Sequence, residues 1–130
     1  MKEEGYDVIS IPLADPNDFR GPTREWRLSD GRSITAFIRK AGVKFGRHFH
    51  KGEDPSKNPE RIFLIDGIMK FRFLTPEGKI TEAIFKPGDV ITIYPNIKHW
   101  VEAEGDKDVV FIEFRLNYFD SENSDTYPAD

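Results

Sequence analysis

Cysteine is absent from the chain. Disulfide staples and thiolate metal ligands are therefore both excluded, and any transition metal has to be held by imidazole and carboxylate. Glutamine is absent too, while Lys and Glu are plentiful, a balance met in proteins of hot environments that bears on no function. Long apolar runs are missing: nowhere do the roughly 20 consecutive apolar residues needed to cross a bilayer occur. The first ten residues carry Lys2, Glu3, Glu4 and Asp7 without an apolar core, which argues against a secretory signal. A soluble, cytoplasmic protein with no membrane partner is the expectation. Charge of one sign is lacking as well. The 19 Lys and Arg stand against 23 Asp and Glu, for a net charge of −4. They are scattered, so no basic stripe exists to track a phosphate backbone, and no nucleic-acid partner is expected.

What is present is one domain's worth of chain: 130 residues, 38% of them hydrophobic. Short segments rich in Ile, Val, Phe and Thr alternate with turn residues, and they are too short and too β-branched for a helical bundle. Strands are expected at Glu25 to Leu28, Ser33 to Lys40, Val43 to His50, Glu60 to Asp66 and Ile68 to Leu74. Further strands follow at Ile80 to Phe85, Val90 to Tyr94, His99 to Ala103 and Asp108 to Arg115. Eight or nine strands suit a closed jelly-roll barrel, which leaves few exposed edges. The expected division is one β-barrel domain over 1–116 and a polar C-terminal tail over 117–130, disordered or draped over a neighbour. The segment Lys51 to Pro59, with two prolines and several charges, reads as a solvated loop.

The three histidines are the most informative residues. His48 and His50 are two apart on an expected strand, so both imidazoles project from one face and can converge on one ion. Third and fourth ligands would then come from adjacent strands, with His99 and a glutamate as the available donors. On the same parity, Phe45, Arg47 and Phe49 fall on the opposite face and Lys44 on the face of the histidines. The bland alternative is that His48 and His50 are outward polar residues of a half-exposed strand.

Gly42, His48, His50, Glu60 and Gly67, followed by Gly88, Pro95 and His99, resemble the two motifs of the cupin family. The resemblance covers Gly42 to His99 and implies an all-β, cupin-type double-stranded β-helix (jelly-roll) barrel. It also implies a divalent transition metal (Mn, Fe, Zn or Ni) on His48, His50, His99 and a glutamate. The chain departs from the pattern between His50 and the glutamate, where the family has a short gap and this chain runs from Lys51 to Pro59. Glu60 opens an apolar strand at the motif's distance from Gly67 and is preferred, because a strand fixes side-chain direction better than a loop; Glu53, in the polar segment, is the alternative. Asp18-Phe19-Arg20-Gly21, followed by Thr23 and Glu25, is similar to the leading segment of cupins in nucleotide-sugar and capsular-polysaccharide pathways, epimerases and ketoisomerases among them.

Candidates for catalysis are Lys44, on the parity of the histidines, and Glu113, between Ile112 and Phe114. Glu113 would be a general base if inward, but the outward, surface reading is favoured. Arg39 would bind a carboxylate or phosphate, or be a solvated charge. Trp26, Tyr94, Trp100 and Phe111 are read mostly as core or interface rather than ligand contacts, with Trp100 pointing away from the metal. Three functions remain open: a metal-dependent isomerase or epimerase of a sugar or small hydroxy-carbonyl compound, a non-haem iron dioxygenase, and a non-enzymatic small-ligand sensor. Cupin barrels pair through a sheet edge or face, so a homodimer is expected.

Overall fold

The computed structural model describes residues 4–129. Met1 to Glu3 and Asp130, which belong to the two segments divided at 116, lie outside the described residues. Among the described residues, ten strands form two five-stranded antiparallel sheets: β1 (Thr23–Arg27), β2 (Ser33–Arg39), β3 (Lys44–Phe49), β4 (Glu60–Asp66), β5 (Ile68–Leu74), β6 (Ile80–Phe85), β7 (Val90–Ile93), β8 (Lys98–Glu104), β9 (Val109–Arg115) and β10 (Tyr127–Pro128). One sheet has the order β1-β2-β9-β4-β7 and the other β10-β3-β8-β5-β6. Apart from the β1–β2 and β5–β6 pairs, neighbours in each sheet come from distant parts of the chain, and the result is the jelly roll that closes most edges. No helix among the described residues is long and apolar enough to cross a membrane.

The period-two pattern of the strands decides which face is inside. Ile62 and Leu64 of β4, Met69 and Phe71 of β5, Val101 and Ala103 of β8, and Val109 and Phe111 of β9 bury their side chains between the sheets. Phe71 is wholly buried, so truncating it to Ala would cost about 3–5 kcal/mol. Phe111 stacks on Phe37 and Phe45, with ring centroids 4.6 and 5.8 Å away. At Gly67 the chain turns from β4 into β5 with φ +83°, and a Cβ there would sit 2.6 Å from the Asp108 carbonyl oxygen. A glycine at this end of the motif is thus a steric requirement.

Three expectations change here. Strict alternation along β3 fails, because pairing with β8 shifts register between Phe45 and His48, at Gly46, whose φ is +63°. A glycine inside a strand is the usual mark of such a bulge. The bulge turns Phe45 inward onto Phe111 while Lys44 is exposed. Lys44 therefore does not share the face of the histidines.

The second change is in the loop from Lys51 to Pro59, which is not simply solvated. Asp54, Ser56 and Lys57 are buried, and Pro55–Lys57 form a 3-10 turn capped by the Asp54 carboxylate. The C-terminal segment also lies against its own barrel. β10 pairs with β3, placing Tyr127 opposite Phe49 and Pro128 opposite His48. A polar composition hid both packings, since each polar group finds a partner far away in sequence.

Candidate metal centre

His48 and His99 face each other across the β3–β8 pairing, and their rings meet edge to face at 4.5 Å. His50 follows at the end of β3, its ring 4.7 Å from that of His48. Glu60 enters from β4 in the opposite sheet; its Oε1 stands 3.4 Å from His50 Nε2 and 3.7 Å from His99 Nε2. One ligand atom from each of His48, His50, Glu60 and His99 lies within 4.8 Å of all the others. The other carboxylate weighed for this position, Glu53, is exposed and accepts a hydrogen bond from the Tyr127 hydroxyl at 2.8 Å.

The donor set fits a divalent transition metal. His50 Nε2 and Glu60 Oε1 are buried without any hydrogen-bond partner, a costly state for polar atoms unless something else satisfies them. The opposite ring nitrogens are engaged: His50 Nδ1 donates to the Asp125 carbonyl at 2.8 Å and His99 Nδ1 to the Ile97 carbonyl at 3.1 Å. A carbonyl only accepts, so in both rings the proton sits on Nδ1 and the Nε2 lone pair faces the cluster. Burial, then the neighbouring His99 and His50, push the His48 imidazole down to about 3. Burial lowers His99 as well. Neutral imidazoles are what a metal requires.

The carboxylate side is held by Lys57. Its ammonium lies 2.7 Å from Glu60 Oε2 and 3.0 Å from Glu113 Oε1. Burial pushes the Glu60 carboxyl up, but the charge of Lys57 and the neighbouring Glu113 and His50 hold it well below the usual range. Glu113 goes the other way. Its burial outweighs the attraction of Lys57, and the negative Glu60 adds to the rise, bringing it to about 7. Glu113 is thus turned inward, with its side chain 12% exposed, against the outward reading of its sequence position. The strand alternation of Phe111, Glu113 and Arg115 accounts for this, since all three share the core parity of β9.

These groups line a cavity of about 490 Å³ between the sheets. Its wall also carries Phe37, Phe45 and Phe111, together with Asp18, Arg20 and Arg39. Lys44, Glu53, Trp26, Tyr94 and Trp100 are not part of that lining. Arg39 is buried, with its guanidinium carbon over the rings of Phe37 and Phe45 at 5.1 and 5.8 Å. The Asp18-Phe19-Arg20-Gly21 stretch is a compact unit in which Arg20 clamps Asp18 through Nε and Nη2 at 2.9 and 2.7 Å.

Sequence reasoning missed Lys57 and Asp125. The Asp125 carboxylate accepts the backbone N–H groups of Lys51, Gly52 and Asp54 at 2.9–3.0 Å, tying the loop after His50 to the C-terminal segment. Asp54-Pro55 was the available signal: an acidic cap followed by proline opens a helical turn, and that turn carries Lys57 to Glu60.

No family model matches the chain. Among curated proteins it is 26% identical to an acireductone dioxygenase of Bacillus cytotoxicus, over 85% of this chain and 62% of that protein. It is 25% identical to a UDP-2-acetamido-2,6-beta-L-arabino-hexul-4-ose reductase of Pseudomonas aeruginosa, over 93% of this chain and 32% of the reductase. The capsular polysaccharide assembling protein CapF of Staphylococcus aureus superposes with a TM-score of 0.75 at 27% identity, covering 93% of this chain and 35% of CapF. Oxalate decarboxylase of B. subtilis shares the fold, with a TM-score of 0.69 and 16% identity over 95% of this chain and 33% of the decarboxylase. The chain thus spans less than two thirds of each of these relatives. The shared fold, the motif residues and the three-histidine, one-glutamate cluster together support the chain's resemblance to the cupin superfamily.

Proposed function

We propose that the chain is a metal-dependent enzyme acting on a small hydroxy-carbonyl compound, a sugar or a relative of one, as an isomerase or epimerase. The observation that carries this reading is the convergence of His48, His50, Glu60 and His99 on a cavity whose wall also bears Glu113. A divalent metal on those four residues supplies Lewis acidity toward a substrate oxygen. The chain's own groups do the rest. Glu113 holds a proton at the cavity wall and is placed to exchange it with a bound substrate, while Lys57 bridges the two side chains and keeps Glu60 ionised. The sheets exclude bulk water from the buried end of the cavity. Similarity to the hexulose reductase and to CapF supports a sugar-type substrate.

The test is deuterium exchange. The chain is loaded in turn with Mn, Zn, Ni and anaerobic Fe(II), and solvent deuterium entering the carbon next to the carbonyl of candidate hydroxy-carbonyl compounds is followed by NMR. Exchange that disappears in Glu113→Gln with metal retained supports the reading; no exchange with any metal sinks it. Oxygen uptake with Fe(II) would favour the second reading, an iron dioxygenase, which the similarity to acireductone dioxygenase supports. A ligand bound and released unchanged would indicate a sensor.

A homodimer is proposed as well. On the outer face of the sheet β1-β2-β9-β4-β7, Trp26, Ile34 and Phe114 lie side by side in register, as do Ile112, Phe63 and Val90. Trp26, Phe63, Val90 and Phe114 are exposed. A continuous apolar row on a sheet face suits a two-fold interface with a second copy. Light scattering at micromolar concentration should give twice the chain mass; a monomer would overturn the proposal.

A further inference from the structure

Four cationic side chains, Arg20, Arg39, Lys57 and Arg115, line the cavity. Three have a carboxylate at 2.7 Å: Asp18 for Arg20, Glu60 for Lys57 and Asp54 for Arg115. Arg39 is the exception. It is also among the most buried, with its side chain 4% exposed. Its Nη1 donates to the backbone carbonyls of Ile38 and Gly21 at 3.0 and 3.3 Å. Along the other edge of the guanidinium, Nε has no partner. Nη2 stands 3.9 Å from Asp18 Oδ2, outside hydrogen-bond range, and that carboxylate is already clamped by Arg20.

The Nε–Nη2 edge is the one through which a guanidinium grips a carboxylate with two parallel N–H donors. A buried N–H left empty is costly, which makes this edge a built receptor for an acceptor that the protein itself does not provide. The groups that act on it are Arg20, which repels its charge, and Asp18 and Glu113, which attract it. With those acids close by, a single negative charge is better tolerated than a dianion. The guanidinium carbon lies over the rings of Phe37 and Phe45 at 5.1 and 5.8 Å, so the arginine sits in a partly apolar surround, which suits a carboxylate better than the more strongly hydrated phosphate.

We propose that Arg39 binds one carboxylate of the substrate, so that the compound turned over at the four-residue cluster is a small hydroxy or keto acid. This rests on the reading of the cavity as a substrate site, but its test does not need turnover. The probes are pyruvate, its neutral amide pyruvamide, and inorganic phosphate. Each is titrated into the zinc-loaded full chain and into the chelator-treated full chain, and the Arg39 Nε–H resonance is followed by NMR.

The expected result is saturable displacement of that resonance by pyruvate in both forms, with phosphate and pyruvamide at least about tenfold weaker. Arg39→Lys keeps the charge but loses the fork, and should weaken pyruvate about tenfold while binding one zinc per chain as the parent does. Pyruvate binding that vanishes with the metal and survives Arg39→Lys would overturn the inference and leave the proposed function standing. Loss of zinc in Arg39→Lys would also overturn it, because Arg39 would then be a support of the fold. Equal binding of pyruvate and pyruvamide, or no binding of either to any form, would overturn it too.

Discussion

The sheet β10-β3-β8-β5-β6 meets the cavity with three imidazoles, from His48, His50 and His99, whereas the sheet β1-β2-β9-β4-β7 meets it with Glu60, Glu113 and Arg39. The two walls are held in different ways. Two of the imidazoles are aimed by backbone carbonyls, those of Asp125 and Ile97. The charged wall is instead balanced by side chains from outside the sheet. Lys57 bridges Glu60 and Glu113, Asp54 pairs with Arg115, and Asp18 stands near Arg39. Damage to the first wall should therefore be a matter of orientation and metal affinity, and damage to the second a matter of uncompensated buried charge.

Lys57→Met should give the largest effect on stability. It removes the ammonium between two buried carboxyls, and leaving a buried charge without its partner costs about 3 kcal/mol or more. Urea unfolding of the metal-free chain would show it, and adding Glu60→Gln, which removes the carboxylate that stays ionised, should recover a good part of the loss. No recovery in the double variant would mean that Lys57 acts by packing, and the charged wall would not differ in kind from the other.

Asp125→Asn probes the imidazole wall from a distance. The φ of +50° at this position is tolerated by Asn. An amide NH2 would then face N–H donors that now point at a carboxylate oxygen, which should cost about 1–2 kcal/mol. The Asp125 carbonyl that orients His50 would be less firmly placed, and metal affinity should fall about tenfold, measured by competition with a chelator. Unchanged affinity would show that β3 alone aims His50.

The smallest effect is expected at Asp18. Its hydrogen bond from the Arg20 side chain holds the carboxyl down to about 2, below the ordinary 3.8. A folded value below the unfolded one means that the pairing contributes stability above about pH 4 and loses it as pH falls toward 2. Asp18→Asn should flatten that part of the curve of melting temperature against pH. A curve as steep as the parent's between pH 4 and 2 would assign the acid limb to other carboxylates.

The turn residues made the strands legible. β4, β5 and β6 run over the same residues as the sequence pattern indicates, and β1, β2, β3, β7, β8 and β9 differ at their ends by one or two. The cluster was legible because His48, His50 and His99 are all the histidines there are, and because Glu60 opens an apolar strand. Parity was misjudged at Lys44, since a bulge at Gly46 changes which side chains share a face. The buried polar network was not legible. Lys57 is read as a solvated loop residue until Glu113 is known to lie opposite, 56 positions later. Asp125 is likewise a tail residue until the N–H groups of Lys51 and Gly52 are seen to point at it.

The most direct test of the account is metal content by elemental analysis in the parent chain, Glu60→Gln and Glu53→Gln, each loaded with zinc and passed through a desalting column, with circular dichroism confirming the fold. The cluster of His48, His50, Glu60 and His99 predicts one zinc per chain in the parent and in Glu53→Gln. In Glu60→Gln an anionic donor becomes a neutral amide, and affinity should drop by about one to two orders of magnitude or more. Full retention of zinc by Glu60→Gln, or its loss from Glu53→Gln, would contradict the assignment of Glu60 as the fourth ligand.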